Sequence, residues 1–310
     1  MTLPLQLPPA DAKPFDVVGV GEASLDIVAV VPAWPRPDMK TPLERCDLLP
    51  GGQTATALVT CARLGWRARY VGAFGDDEFG ARIVAALAAE GVDTQVVERA
   101  NAASRTAVVL VDRASGARTV LERRDPRLAI DEDDISSAVF TSGRILLVDG
   151  TDLPVAVRAA RAARAAGIPT IVDVEQHVPG VDDLLAQIDV MIAPGAFFAE
   201  ASHGSVELGL EQLESRFGAA LVVATLGERG SVARSGGRIV RTPPSVVAVV
   251  DTTGAGDAFR GGFASAWLRL GSGAPLEALL TYANRIAGLN CRAIGAQTAL
   301  PGPDEVSWSV

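Results

Sequence analysis

The stretch VVDTTGAGDAFRGGFA, residues 249–264, places Asp251 and Asp257 on either side of a run of small residues that ends in Gly254, Ala255 and Gly256. The apolar, helix-spaced AFRGGFASAWLRL follows, so a helix begins near Asp257. A helix N-terminus presents unpaired amides and a partial positive charge. Glycine and alanine let an anion approach those amides, and such a site suits a phosphate. Asp257 then sits beside that anion, an arrangement that like charges normally avoid. It makes chemical sense if Asp257 takes the proton of a hydroxyl that attacks the phosphate. The plain alternative is a capping aspartate at a tight turn, worth roughly 1 kcal/mol. Arg260, one turn further on, either touches phosphate or substrate or decorates the helix surface.

Elements able to position this stretch are legible around it. FDVVGVG (15–21) reads as a buried strand, and Gly51-Gly52 opens the Ala-rich helix QTATALVTCARLG. RARYVGAFG is a strand and FGARIVAALAAEG a helix. RILLVDG, IPTIVDV, DVMIAP and LVVATLG continue as short apolar strands alternating with helices, which predicts a parallel sheet covered on both faces. GSVARSGGRIVRTPP reads as a hairpin, and so does TAVVLVDRASGARTVLER with Gly116 in its turn. The fold class is therefore α/β: one three-layer, Rossmann-like domain over 1–310 with a mainly parallel central sheet. Segments of about 28–50 and 104–125 break the alternation and predict a small β lid over the C-terminal sheet edge, where open α/β sheets bind ligands.

The string D-T-T-G-A-G-D-A-F-x-G-G-F resembles the C-terminal signature of the ribokinase-like (PfkB) carbohydrate kinases. VGVGEASLDIV is similar to that family's first strand, PGGQTATALVTCARLG with YVGAFGDDEFG to its N-terminal signature, and VVATLGERGSV and YANRIAGLNCRAIGAQTALP to its nucleotide-side landmarks. The resemblance implies an ATP- and Mg²⁺-dependent transfer of the γ-phosphate to a sugar hydroxyl. Asp257 would be the base, with Gly254, Ala255 and Gly256 forming the anion hole. Asp26, Gly51, Gly52 and Thr56 would face the sugar, with Arg105, Arg123 and Arg124 available from the lid. Thr225, Gly227, Gly230, Asn284 and Gly288 would line the nucleotide. A monovalent cation such as K⁺ is a family feature placed near Asp251, Thr253 and Gly295.

Two departures stand out. Thr56 replaces the usual Asn, and Pro194-Gly195-Ala196-Phe197 replaces N-x-x-E, the usual polar anchor for metal-bound water. Asp173 and Glu175, ending IPTIVDV, could supply carboxylates near the phosphates or form a solvated strand end. The details resemble the ketohexokinase and sulfofructose kinase branches, so a ketose such as fructose or sulfofructose is expected. Ribose-type or nucleoside acceptors stay open, as does a non-catalytic sugar- or nucleotide-sensing role.

Other classes fit poorly. A formal net charge of -9 argues against nucleic acid or an anionic membrane surface as partner. A P-loop needs G-K-[ST], but the two lysines, Lys13 and Lys40, follow no glycine. Gly19-Val-Gly21 lacks the third glycine of a dinucleotide fingerprint. Cys46, Cys61 and Cys291 have no metal-ligand spacing, and His177 and His203 read as loop residues. With neither a leader pattern nor a long apolar run, the cytoplasm is the expected location. Exposed lid strands predict pairing between subunits, a homodimer through the lid.

Overall fold

Alternating apolar runs resolve into two sheets of different character. The computed structural model describes residues 1–114 and 118–306, so the turn expected at Gly116 lies outside the described residues. In chain order the elements are β1 (Val17–Val20), β2 (Ser24–Val31), β3 (Arg45–Gly51), α1 (Gln53–Arg63), β4 (Ala68–Gly75), α2 (Glu78–Ala89), β5 (Asp93–Arg99), β6 (Thr106–Asp112) and β7 (Arg118–Arg123). There follow α3 (Ser137–Phe140), β8 (Ile145–Asp149), α4 (Leu153–Ala165), β9 (Thr170–Asp173), α5 (Val181–Leu185), β10 (Val190–Pro194), α6 (Gly195–Ala201) and α7 (Val206–Phe217). The chain continues through β11 (Leu221–Thr225), β12 (Ser231–Ser235), β13 (Arg238–Thr242), α8 (Ala255–Leu270) and α9 (Leu276–Asn290).

Among the described residues, nine strands form the large sheet in the order β13-β12-β11-β10-β9-β8-β1-β4-β5. Its pairs are parallel from β11 to β5, with the β12–β13 hairpin antiparallel at one edge. Successive strand residues point to opposite faces. Ile145 and Leu147 therefore join the layer of α1, α2, α8 and α9, while Leu146 and Val148 join that of α3 to α7. This is the expected three-layer, Rossmann-like arrangement. After β1 the chain builds outward through β4 and β5, then returns to β1's other side with β8. The switch point, where such sheets hold ligands, lies between β1 and β8.

The small sheet runs β3-β2-β6-β7, with β2–β6 parallel and the outer pairs antiparallel. On one face, Val28, Val30, Ala107, Val109 and Val111 pack with Leu49 and Ile294. VGVGEASLDIV is thus not one strand. It supplies β1 to the large sheet and, from Ser24 onward, β2 to the small one. The apolar run SVVAVV likewise joins no sheet; Val246 is 97% exposed, and Val249 and Val250 are exposed as well.

Helix α8, which follows that run, is wedged between two others. A Cβ on Gly261 would lie 2.5 Å from the Ala57 carbonyl of α1, and one on Gly262 2.9 Å from Ile286 of α9. The paired glycines let both helices approach α8 from different sides and so fix where its N-terminus points.

Candidate active site

Gly254 is the N-cap of α8, in a left-handed conformation (φ 74°) with no side-chain cap. A Cβ there would stand 2.6 Å from the Ala296 carbonyl, so only glycine fits. Asp257 therefore does not cap the helix, and the plain alternative fails. Its side chain is 14% exposed and faces a cavity of about 430 Å³. The amide of Ala255 is taken by the Thr252 carbonyl at 3.2 Å. Ala255 is thereby corrected as an anion-hole donor. The amides of Gly256 and Asp257 meet no protein acceptor among the described residues.

Arg260 is no surface decoration. It is 1% exposed, its Nη1 donates to Asp257 Oδ1 at 3.0 Å, and the same nitrogen forms an ion pair with Asp173 Oδ2. Its Nε donates to the Ile192 carbonyl of β10 at 3.3 Å, which fixes the guanidinium. Burial raises the Asp257 carboxyl to about 6, with Arg260 pulling the other way. Asp173, fully enclosed at the end of β9, is pushed well above the usual carboxylate range by burial, again opposed by Arg260.

Across the cavity stand the residues that follow β1 and β8. Asp26 accepts from Ser24 Oγ at 2.7 Å, and burial pushes its carboxyl up to about 6. Gly51 lies against it, since a Cβ there would be 2.1 Å from Asp26 Oδ2. Gly52 and Gln53 continue the wall at the start of α1. Buried Asp149, ending β8, gathers the switch point: its carboxylate accepts from the Glu22 amide (2.6 Å), Thr54 Oγ1 (2.8 Å) and the Thr151 amide (2.9 Å). Strand β7 closes the opposite side with alternate residues, Arg118, Val120 and Glu122, extended by Arg124.

Several expected contacts need correction. Thr56 is fully buried, its hydroxyl accepts from Gln297 Nε2 at 3.2 Å, and it lines no part of the cavity. Arg123 is exposed on the outward face of β7; the period of two gives the cavity to its neighbours instead. Arg105 stands behind the wall, with Nη1 buried and lacking a hydrogen-bond partner. Asp173 is not a solvated strand end: it is buried and its Oδ2 forms an ion pair with Arg260. Glu175 is exposed on the cavity wall. No cluster of three His, Cys, Asp or Glu residues suited to a metal occurs among the described residues.

Among the residues expected to line a nucleotide, Thr225 borders a second cavity of about 710 Å³ with Gly195, Leu226 and Arg229. Gly227 and Gly230 shape the adjoining turn with φ of 58° and 79°. Asn284 is turned to the protein: its amide donates to Ser231 Oγ (3.0 Å) and Thr242 Oγ1 (2.9 Å), tying α9 to the hairpin. Gly288 lets α9 approach Ser245, 2.8 Å from the position of a Cβ. The Asp251 carboxylate draws Thr253 and Gly295 together by accepting from both their amides at 2.9 Å. The Thr253 carbonyl is engaged by Asn290 at 3.2 Å.

Sequence reasoning missed Glu22, Gln53, Asp149, Thr151 and Arg118. A carboxylate ending a predicted strand (VDG) was the available signal for Asp149. The other four had no type-and-spacing signature.

A carboxylate beside unpaired helix-tip amides, set in a cleft at a sheet's switch point, is an arrangement that suits phosphoryl transfer to an alcohol. Residues 15–303 match the pfkB family carbohydrate kinases, and the chain belongs to that family. It is similar to a fructokinase of Klebsiella pneumoniae, 31% identical with 94% of this chain and 98% of the relative covered. It is also similar to a ribokinase of Bacillus subtilis, 28% identical with 93% and 96% covered. The ribokinase of Arabidopsis thaliana, solved with ribose and ATP, shares the fold: TM-score 0.78 at 24% identity, with 94% and 96% covered. The chain is thus a sugar or nucleoside kinase of ribokinase-like fold.

Proposed function

We propose that this kinase phosphorylates a hydroxyl of a small sugar, a ketose such as fructose, with Asp257 as general base. The carrying observation is the Asp257 carboxylate on the cavity wall beside the unpaired amides of Gly256 and Asp257. The sugar lies between Asp26, Gly52 and the small sheet, which acts as lid. Asp257 accepts the hydroxyl proton as the oxygen bonds to the γ-phosphorus and the bond to the departing diphosphate breaks. The two free amides and the helix dipole offset charge building on the transferred phosphoryl group. Arg260 keeps Asp257 ionised and aimed, while closure of the lid excludes water.

ATP supplies the phosphoryl group, and the amide cradle without side chains suits its γ-phosphate. Mg²⁺ reaches such sites on the nucleotide and keeps several waters, so a lone hard carboxylate is an adequate protein contact. Glu175, exposed on the wall after β9, would be that carboxylate. K⁺ near Asp251, Thr253 and Gly295 would rely on main-chain carbonyls other than that of Thr253.

We also propose a homodimer through the lid. Leu48, Ile27, Val108 and Leu121 form one row across all four strands of its outward face. Leu48 and Leu121, at its two ends, are exposed. Free cysteines at 46, 61 and 291 suit a cytoplasmic setting.

A coupled ADP-release screen over neutral ketoses, aldoses, nucleosides and sugar acids tests the activity. Asp257→Asn should retain ATP binding and lose turnover by roughly three to four orders of magnitude. Near wild-type turnover in that variant would remove Asp257 from the mechanism.

A further inference from the structure

We infer that Glu22 is a specificity-determining residue, whose carboxylate accepts hydrogen bonds from hydroxyls of an uncharged polyol at the end remote from the reacting oxygen. This rests on the sugar-kinase reading and adds the substrate class.

Glu22 follows β1 at the switch point and lines the same cavity as Asp26 and Asp257. Its backbone is pinned by the 2.6 Å bond from its amide to Asp149, so the side chain has a fixed origin. Thr151 Oγ1 donates to Oε2 at 3.2 Å, whereas Oε1 receives no hydrogen bond among the described residues. Arg124 Nη2 stands 3.8 Å away, beyond hydrogen-bond reach, and is engaged by Glu122 at 2.7 Å. A side chain only 14% exposed thus keeps an acceptor free toward the cavity. Such an oxygen is satisfied by a ligand O–H and penalised by a ligand anion.

The surroundings agree. Six acidic side chains line the cavity against two arginines, Arg118 and Arg124. Of the two arginines on the cavity wall, Arg118 donates to Thr252 and Arg124 pairs with Glu122, so neither is free for an acidic acceptor. This disfavours a sulfonated or carboxylated sugar.

The charge state of Glu22 supplies a test that needs no variant. Burial and neighbouring Asp149 raise its carboxyl to about 7, opposed by Arg105 and Arg124, with Glu122 adding to the rise. Tyr70, of β4, donates its hydroxyl to the Gly21 carbonyl and is buried and neutral. An uncharged polyol prefers ionised Glu22, so its KM should fall as pH rises through about 7. An acidic acceptor would prefer protonated Glu22 and show the opposite slope. Burial also raises Asp26 and Asp257, and their limbs are told apart because they persist when Glu22 is changed.

The experiment measures KM and kcat between pH 5.5 and 8.5 with fructose, ribose and gluconate, for wild type and Glu22→Gln. Glu22→Gln should raise KM for the preferred neutral sugar about tenfold, as expected for losing a charge-assisted hydrogen bond. It should also abolish the limb near 7 while kcat moves less than threefold. Thermal shift with sugar alone should show the same loss of affinity without reference to turnover. Preference for gluconate, a KM that rises with pH, or an unchanged KM in Glu22→Gln each overturns the inference. Failure of the kinase reading looks different: no acceptor-dependent ADP release from wild type at any pH.

Discussion

Burial raises the carboxyls of Asp257 and Asp26 alike, and only Asp257 has a cation beside it to oppose the rise. Burial raises the Asp257 carboxyl to about 6, so with Asp257 as the proposed base kcat should fall as pH drops through that value. Arg260 holds that value down. Arg260→Met should move the acid limb upward, cut kcat and leave Asp173 and Asp257 unpaired, a loss of about 3–5 kcal/mol by thermal melts. Arg260→Lys, which keeps the charge, should recover part of both. Asp26 has no such cation, and a carboxyl raised from 3.8 to about 6 costs stability once ionised, up to roughly 3 kcal/mol. The sign follows directly: the cost is absent below about 3.8 and complete above about 6. Asp26→Asn should therefore melt higher than wild type at pH 8, with the gap closing near pH 4, while its KM for sugar rises. An unchanged gap across that range would place Asp26 outside the desolvated wall.

Helix α8 carries the anion-binding tip, and its placement depends on glycines that contact no substrate. Gly261→Ala puts a methyl 2.5 Å from the Ala57 carbonyl and 2.6 Å from Thr60 Cβ, an overpacking that costs about 1–3 kcal/mol. The melting temperature should drop by several degrees, and kcat should fall because the shifted helix moves Asp257. A variant that melts lower yet keeps full kcat would show that the tip is positioned by Gly254 and Asp173 alone. At this scale the sequence was most readable: helix and strand types followed from apolar spacing. The misread piece was VGVGEASLDIV, because an apolar run does not state which sheet will cover it.

The two sheets meet at the cavity, with Asp257 of α8 on one side and β7 roofing the other. No helix among the described residues is long and apolar enough to cross a membrane. The outward row of Leu48, Ile27, Val108 and Leu121 predicts a dimer by light scattering. Leu48→Arg with Leu121→Arg should yield monomers. A monomeric wild type at micromolar concentration would overturn that assembly.

The character of most elements and the glycine-flanked helix tip carrying Asp257 were determined by sequence alone, because local periodicity and helix-end chemistry act within a few residues. Which side chains share the cavity was decided only by the tertiary structure. Arg123 and Arg124 are adjacent and alike, and only strand register sends one outward and leaves the other beside the cavity. Thr56 sits where the motif places a sugar contact, but the turn of α1 buries it against Gln297. Arg260 becomes the partner of Asp257 because β9 and β10 bring Asp173 and the Ile192 carbonyl to it, contacts made across more than sixty residues of chain.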